Sequence, residues 1–401
     1  MTRPLSGLRV LDLTNVLAGP FCCHQLAHLG ADVVKVEPPG RGDLARQLGA
    51  DPELNARNMG VSFLAQNAGK RSVTIDLKHP RGRDLLLRLV DGADALVENF
   101  RPGVMDRLGL DAETLRARNP SLVYAAISGF GQEGPLRAHP AYDQIVQGAS
   151  GVMAATGSAE TAPLRVGFPL CDAVGGLTAA MAVCAALAAR DAEGKRPGAT
   201  IDVAMLDATL ACMGWAVSNW LIAGVPPSPN GNENPTSAPS GTFRTADAPI
   251  NIAANRDEQW IALARTIGRE DLLANPDYAT REKRKANRDA LRADIEQALA
   301  TAPAASWVER LVAAGVPTGP ILDVPTALAT SQVAGRGLVA THADVAGREN
   351  VQTVVPGLQW DGEPPRVTSP PPELGQHTEE VLREMGVHPD ELAELREEGV
   401  L

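Results

Sequence analysis

The chain has 401 residues, enough for two domains with substantial cores at about 100 to 200 residues per domain. Its 44% hydrophobic and 21% charged residues match an ordinary globular composition. A net charge of -11 argues against a broad nucleic-acid-binding surface, which needs excess positive charge, while a local basic pocket or a helix N-terminus still suffices for a small anion.

The opening stretch, MTRPLSGLRVLDLTN, lacks an apolar core followed by a small-residue cleavage site, so no signal peptide is expected. The longest apolar run, Leu177 to Ala189, falls short of the roughly 20 residues that span a bilayer. No membrane partner is expected. Five cysteines at irregular spacing do not form a disulfide framework, and the expectation is a reduced, cytoplasmic protein.

In chain order, LRVLDL (8–13) reads as a strand, Phe21 to Leu29 as a helix and ADVVKVE (31–37) as a second strand. VTIDL (73–77), ALVENF (95–100) and LVYAAISGF (122–130) add three strands, with a helix from about Arg81 to Leu89. Strands separated by helical periodicity predict βαβ units and a mainly parallel sheet. Ligands of such sheets bind outside the carboxyl ends of the strands. Thr14–Gly19, Glu37–Asp43, Asn99–Phe100 and Ser128–Gly129 then share one rim.

The texture changes after Ile222. PPSPNGNENPTSAPSG (226–241) is a linker by composition, and residues 242–320, with an INIAAN patch and a helix at Arg281 to Leu299, form a smaller second domain. A Pro-rich return stretch, Val355 to Leu374, precedes a helix at about Thr378 to Met385. The expected division is 1–225, 226–330 and 331–401. The fold expected is α/β, with a large domain on a mainly parallel sheet and a smaller α+β domain.

Among motifs, GxGxxG and Walker A loops are absent, which removes the usual support for nicotinamide, flavin and P-loop chemistry. His24 and His28, four apart on a helix, lack a second ligand pair, so no metal is expected. Gly40-Arg41-Gly42-Asp43 and Asn67-Ala68-Gly69-Lys70-Arg71-Ser72 each set a cation among small residues at an element end, an arrangement suited to phosphate. Asp172, in GFPLCDAVGGLTAAMAVCAALAAR (167–190), reads as a helix cap; Gly175 and Gly176 behind it are costly in a helix and point to backbone held close to a ligand.

LSGLRVLDLTNVLAGPFCCHQLAHLGADVVKVEPPGRGD, NAGKRSVTIDLKHPRGRDLL, VENFRPGVMDRLGL, SGFGQEGPLRAHPAYDQIVQGASG, PLCDAVGGLTAAMAVCAALAAR, the GVPTGPI segment and LGQHTEEVL together resemble the class III CoA-transferases, the formyl-CoA transferase and carnitine CoA-transferase group. The resemblance covers essentially the whole chain. It implies a Rossmann-like large domain built from both chain ends, a small domain, and two subunits interlocked as a homodimer. It implies that Asp172 is the nucleophile, forming an aspartyl acyl-anhydride and then an aspartyl-CoA thioester. It places coenzyme A, a substrate rather than a tightly bound cofactor, along Val16, Ala18, Asn67, Lys70, Arg71, Asn99, Phe100 and Arg107.

Leu17, Pro38, Ser128 and the APSG segment Ala238 to Gly241 depart from formyl-CoA transferase and point away from oxalate or formyl specificity. A short, dicarboxylic acceptor acid is expected, met by His139, Tyr142, Arg165, Ser240 and Gly241. The same fold hosts α-methylacyl-CoA racemases, which place a histidine where Tyr142 stands. A phenol of ordinary pKa about 10 is a poor base, so transferase is preferred over racemase. A non-catalytic CoA-binding protein is the remaining alternative.

Overall fold

The computed structural model describes residues 3–191, 197–367 and 369–401. The chain divides into two compact units. The first comprises Met1–Val152, Arg165–Pro226 and Ser331–Leu401; the second comprises Met153–Leu164 and Pro227–Thr330. The short piece 153–164, which the sequence assigned to the large domain, groups with the second unit.

The first unit is built on six strands: β1 (Arg9–Asp12), β2 (Asp32–Glu37), β3 (Lys70–Thr74), β4 (Ala95–Glu98), β5 (Val123–Ser128) and β6 (Thr200–Ala204). All five pairings are parallel, in the order β3-β2-β1-β4-β5-β6. The order reverses between β1 and β4, which is where an open parallel sheet leaves a crevice for a ligand.

Each face of the sheet carries its own core. Val10, Val33, Val97 and Ala125 point toward helices Ala18–His28 and Leu170–Asp191; Leu11, Val34, Leu96 and Ala126 point toward helix Pro80–Asp91 and the C-terminal helices Thr378–Glu384 and Pro389–Glu397. The C-terminal helices therefore complete a core begun by the first strand. Helix Pro80–Asp91 starts at a proline that lacks only an N–H the first turn cannot use, and His79 caps it.

Helix Leu170–Asp191 runs beyond the apolar stretch visible in the sequence and is long and apolar enough to cross a membrane by length and composition alone. In the fold it is a packing helix: Cys171, Ala179, Val183 and Leu187 are buried in the core shared with helix Ala18–His28.

The second unit has a three-stranded antiparallel sheet, β7 (Ser240–Phe243), β8 (Ile250–Ala253) and β9 (Thr318–Pro320), around a core that includes Trp260, Leu263, Ile295 and Trp307. The expected helix at 281–299 is two, Arg281–Ala286 and Arg288–Leu299, broken at Asn287. A separate hairpin in the first unit pairs β10 (Val339–His342) with β11 (Val351–Val354). The five cysteines are free.

Candidate active site

The loops after β1 and β4 meet at the sheet's reversal point and lock to each other. The Asn15 amide donates to Asn99 Oδ1 at 2.7 Å, and Asn99 Nδ2 donates back to the Asn15 carbonyl at 2.8 Å. Beside this pair opens a cavity of about 460 Å³. Leu13, Thr14 and Asn15 supply one wall, Val36 to Pro38 and Arg41 to Leu44 another, and Ile75 to Lys78 with Phe100 and Val104 the rest. It is an apolar cleft with a few polar groups at its rim, the usual form of a small-molecule site.

Its cations are Arg41 and Lys78, both exposed, and among the described residues neither side chain has an ion-pair partner. Lys70 and Arg71, the cations expected from the sequence, have side chains already engaged within the fold. Lys70 is 1% exposed and its Nζ donates to Asp12 Oδ2 at 2.8 Å and to the Pro20 carbonyl at 3.0 Å. Arg71 is spent on Asp32, Glu380 and Glu384. Their spacing fits a phosphate loop, but Lys70 faces into the sheet and Arg71 lies against the C-terminal helix.

Asn67 is likewise buried, its Nδ2 donating to Phe63 O. Arg107 is exposed on the short helix Val104–Leu108, its guanidinium close to Gly103, and does not line the cavity. Phe100 does line it, and its amide is pinned by Glu98 Oε2 at 2.7 Å. Burial pushes the Glu98 carboxyl up to about 7, against the hydrogen bonds from Phe100 and Tyr124.

Asp172 lies in the first turn of helix Leu170–Asp191. It is not the cap. That role falls to Asp143, in the first turn of helix Asp143–Ala149, whose Oδ1 accepts the Cys171 amide at 2.8 Å and lies 3.5 Å from the Asp172 amide nitrogen. Asp143 Oδ2 takes Gln147 Nε2 at 2.7 Å and Arg165 at 3.3 Å. Among the described residues, no donor holds the Asp172 carboxylate. Burial and then the charge of Asp143 push its carboxyl up to about 7, with Arg165 pulling the other way. An unengaged, partly desolvated carboxylate is a better nucleophile than a paired one.

The glycines behind Asp172 have a packing reason. A Cβ on Gly176 would come within 2.5 Å of the Ala18 carbonyl, and one on Gly175 within 2.9 Å of Met205 Cγ. Gly175 thus allows helix Leu170–Asp191 to approach Met205 at the start of helix Met205–Cys212, and Gly176 allows it to approach helix Ala18–His28. Ala18, a predicted ligand contact, is buried in that seam. Val16 has a positive φ of 68°.

Among the predicted acid-binding residues, Arg165 is brought to Asp172 through Asp143, with 41% of its side chain exposed. Tyr142 precedes Asp143 and is 65% exposed; His139 is exposed and edge-on to Phe130. Ser240 and Gly241 belong to the second unit. They open β7 opposite Ala253 and Ile252, so the segment matched to a glycine-rich flap is a paired strand with Ser240 buried. His24 and His28 are buried with rings 4.3 Å apart, and no group of three metal-ligand side chains forms among the described residues.

The sequence did not single out Asp143, Lys35 or Asp43. Lysine within an otherwise apolar strand, DVVKVE, was the available signal for the second, since such a charge must be matched by buried partners.

The family model described as "CoA-transferase family III" matches residues 5–378. The chain is 45% identical to the acetyl-CoA:oxalate CoA-transferase of Acetobacter aceti, over 85% of this chain and 87% of that one. It is 37% identical to the succinate–glutarate CoA-transferase of Agrobacterium fabrum, over 95% and 96%. A crystal structure of an aspartate-to-alanine mutant of Rv3272 from Mycobacterium tuberculosis superposes with a TM-score of 0.84 at 33% identity, covering 95% of this chain and 98% of that one. With its parallel sheet, its crevice and its motifs, the chain belongs to CoA-transferase family III.

Proposed function

We propose that this enzyme moves CoA from an acyl-CoA donor to a short dicarboxylic acid through covalent intermediates on Asp172. The observation that carries the reading is the unengaged, half-buried carboxylate of Asp172 at the start of a helix capped by another residue. Asp172 attacks the donor thioester carbonyl, the C–S bond breaks, and a mixed anhydride and CoA thiolate result. The thiolate attacks the aspartyl carbonyl, releasing the donor acid and leaving an aspartyl-CoA thioester. The acceptor carboxylate displaces CoA to give a second anhydride. CoA thiolate then takes the new acyl group and frees Asp172.

The cavity at the β1/β4 reversal suits the nucleotide end of CoA, with Arg41 and Lys78 as phosphate partners in place of Lys70 and Arg71. Arg165 supports a dicarboxylate: its guanidinium spends one contact on Asp143 and keeps an exposed side for a distal carboxylate. The relatives named for oxalate, succinate and glutarate make two- to five-carbon diacids the acceptors to try first. A panel of acyl-CoA donors against free acids tests this directly; turnover only with long or branched monoacids would contradict it.

We propose further that the enzyme works as an interlocked homodimer. Helix Trp215–Ala223 buries no residue in the single chain and presents Trp215, Trp220, Leu221 and Ile222 to solvent, more contiguous apolar surface than a monomer keeps uncovered.

A further inference from the structure

Val16 holds a left-handed backbone conformation, φ 68°. A β-branched side chain is a rare occupant of that region and stays there only when its surroundings impose it. The imposing group is buried. The Val16 amide donates to Asp43 Oδ1 at 2.9 Å, an oxygen that also caps Ala45 N at 2.8 Å, and shares a longer contact of 3.1 Å with the exposed Asn15 Oδ1. Asp43 Oδ2 is 3.0 Å from Lys35 Nζ, and Lys35 Nζ in turn donates to the Thr14 carbonyl at 2.8 Å. Neither side chain of the pair touches solvent. One buried ion pair therefore grips the Thr14–Val16 segment twice.

That segment joins two parts of the site. Thr14 and Asn15 form a wall of the cavity. Two residues past Val16, the Ala18 carbonyl lies against Gly176, four residues beyond Asp172 on the same helix. Reversing the turn at Val16 would shift one relative to the other. Acyl transfer demands reacting atoms about 3 to 3.5 Å apart, and a displacement of about 1 Å can cost two orders of magnitude in rate.

We infer that Asp43, anchored by Lys35, is a positioning residue: it holds Val16 left-handed and thereby sets the cavity wall in register with the helix that carries Asp172. The inference rests on the transferase reading above. A buried ion pair that only stabilised the fold would act independently of the conformation of Val16. Glycine separates the two cases, because it adopts positive φ without help.

The test is a cycle of D43N, V16G and the double variant, with kcat, KM and melting curves for each, in an assay of acyl exchange with succinyl-CoA and free dicarboxylates. Activity of the wild-type chain tests the transferase reading; only departures of the variants from it test the tether. D43N is expected to lower kcat at least tenfold while KM for the thioester changes less than threefold. V16G in that background should restore kcat at least fivefold without restoring the melting temperature. V16P, with φ fixed near -65° and no N–H, should remain cooperatively folded and lose at least a hundredfold in kcat, a result independent of whether D43N folds. Additive effects of D43N and V16G, or V16P within threefold of wild type, would overturn the inference.

Discussion

The Asp143 carboxylate lies 3.5 Å from the main-chain nitrogen of Asp172 and raises the pKa of the Asp172 side chain. One residue thus caps the helix end and adds to the burial that raises its neighbour's pKa. Burial contributes most to the shift, Asp143 next, and Arg165 opposes both.

Because the nucleophile must be ionised, kcat/KM should climb about tenfold per pH unit on the acid side and level off above about 7. R165L removes the opposing charge and should move that limb to higher pH. A pH profile of wild type and R165L on the same donor checks the sign; a limb at the ordinary carboxylate value near 4 would contradict it.

The same shift makes Asp172 a cost to stability. Its folded pKa exceeds the ordinary aspartate value of 3.8, so folding is favoured while the group is protonated, and that advantage is lost as pH rises through about 7. D172N should therefore melt higher than wild type at pH 8, by a difference on the order of 2 to 4 kcal/mol, and the two should converge near pH 4. Denaturant titrations at both pH values decide this.

Much of the architecture was legible because buried parallel strands read as apolar runs between helices. What escaped were charges that the strands conceal. The expected third strand, 73–77, begins earlier, at Lys70, since Lys70 and Ser72 are polar yet buried against Asp12 and Glu37. The same concealment hid the partners of Lys70 and Arg71: a sequence shows that they follow a glycine, not which way they point. Strand β6, five residues with two polar side chains, gave too weak a pattern to find. Asp172 was singled out through the family motif, while the packing role of Gly175 and Gly176 required the neighbouring helices to be seen.

Exchanging the cations tests the proposed assignment of Arg41 and Lys78. R41A and K78A should each raise KM for an acyl-CoA about tenfold with little change in kcat, the worth of one charge-assisted contact. K70M should instead destabilise the fold, since it removes the Nζ that lies 2.8 Å from buried Asp12 and leaves that carboxylate to Lys35 at 3.8 Å and to Thr14. Calorimetric CoA binding alongside melting curves separates the two effects.

Acid should loosen the packing between helix Ala18–His28 and the return segment. His28 is held to the Pro365 carbonyl at 2.9 Å, and burial pushes its pKa down to about 4; burial also holds His24 well below its ordinary value. Neutral when folded, both bind protons more readily when unfolded, so stability is present above about 6.5 and falls as pH drops toward 4. His28 alone should cost about 1 kcal/mol by pH 5.5. An H24Q/H28Q variant should show a flatter pH–stability curve between 7 and 5; an unchanged slope would contradict the assignment.

Light scattering should return twice the 42.1 kDa chain mass, independent of dilution. Replacing Trp220 and Ile222 with Ser and Asp should lower the assembled fraction. A stable, active 42.1 kDa species in the wild type would refute the dimer.

The central claim is the covalent role of Asp172. Enzyme incubated with succinyl-CoA and no acceptor, then quenched with hydroxylamine or borohydride, should carry a modification on the peptide containing Asp172 and nowhere else. D172A should bind CoA yet show neither the adduct nor turnover. Exchange at near wild-type rates by D172A, or an adduct on a different residue, would contradict the account.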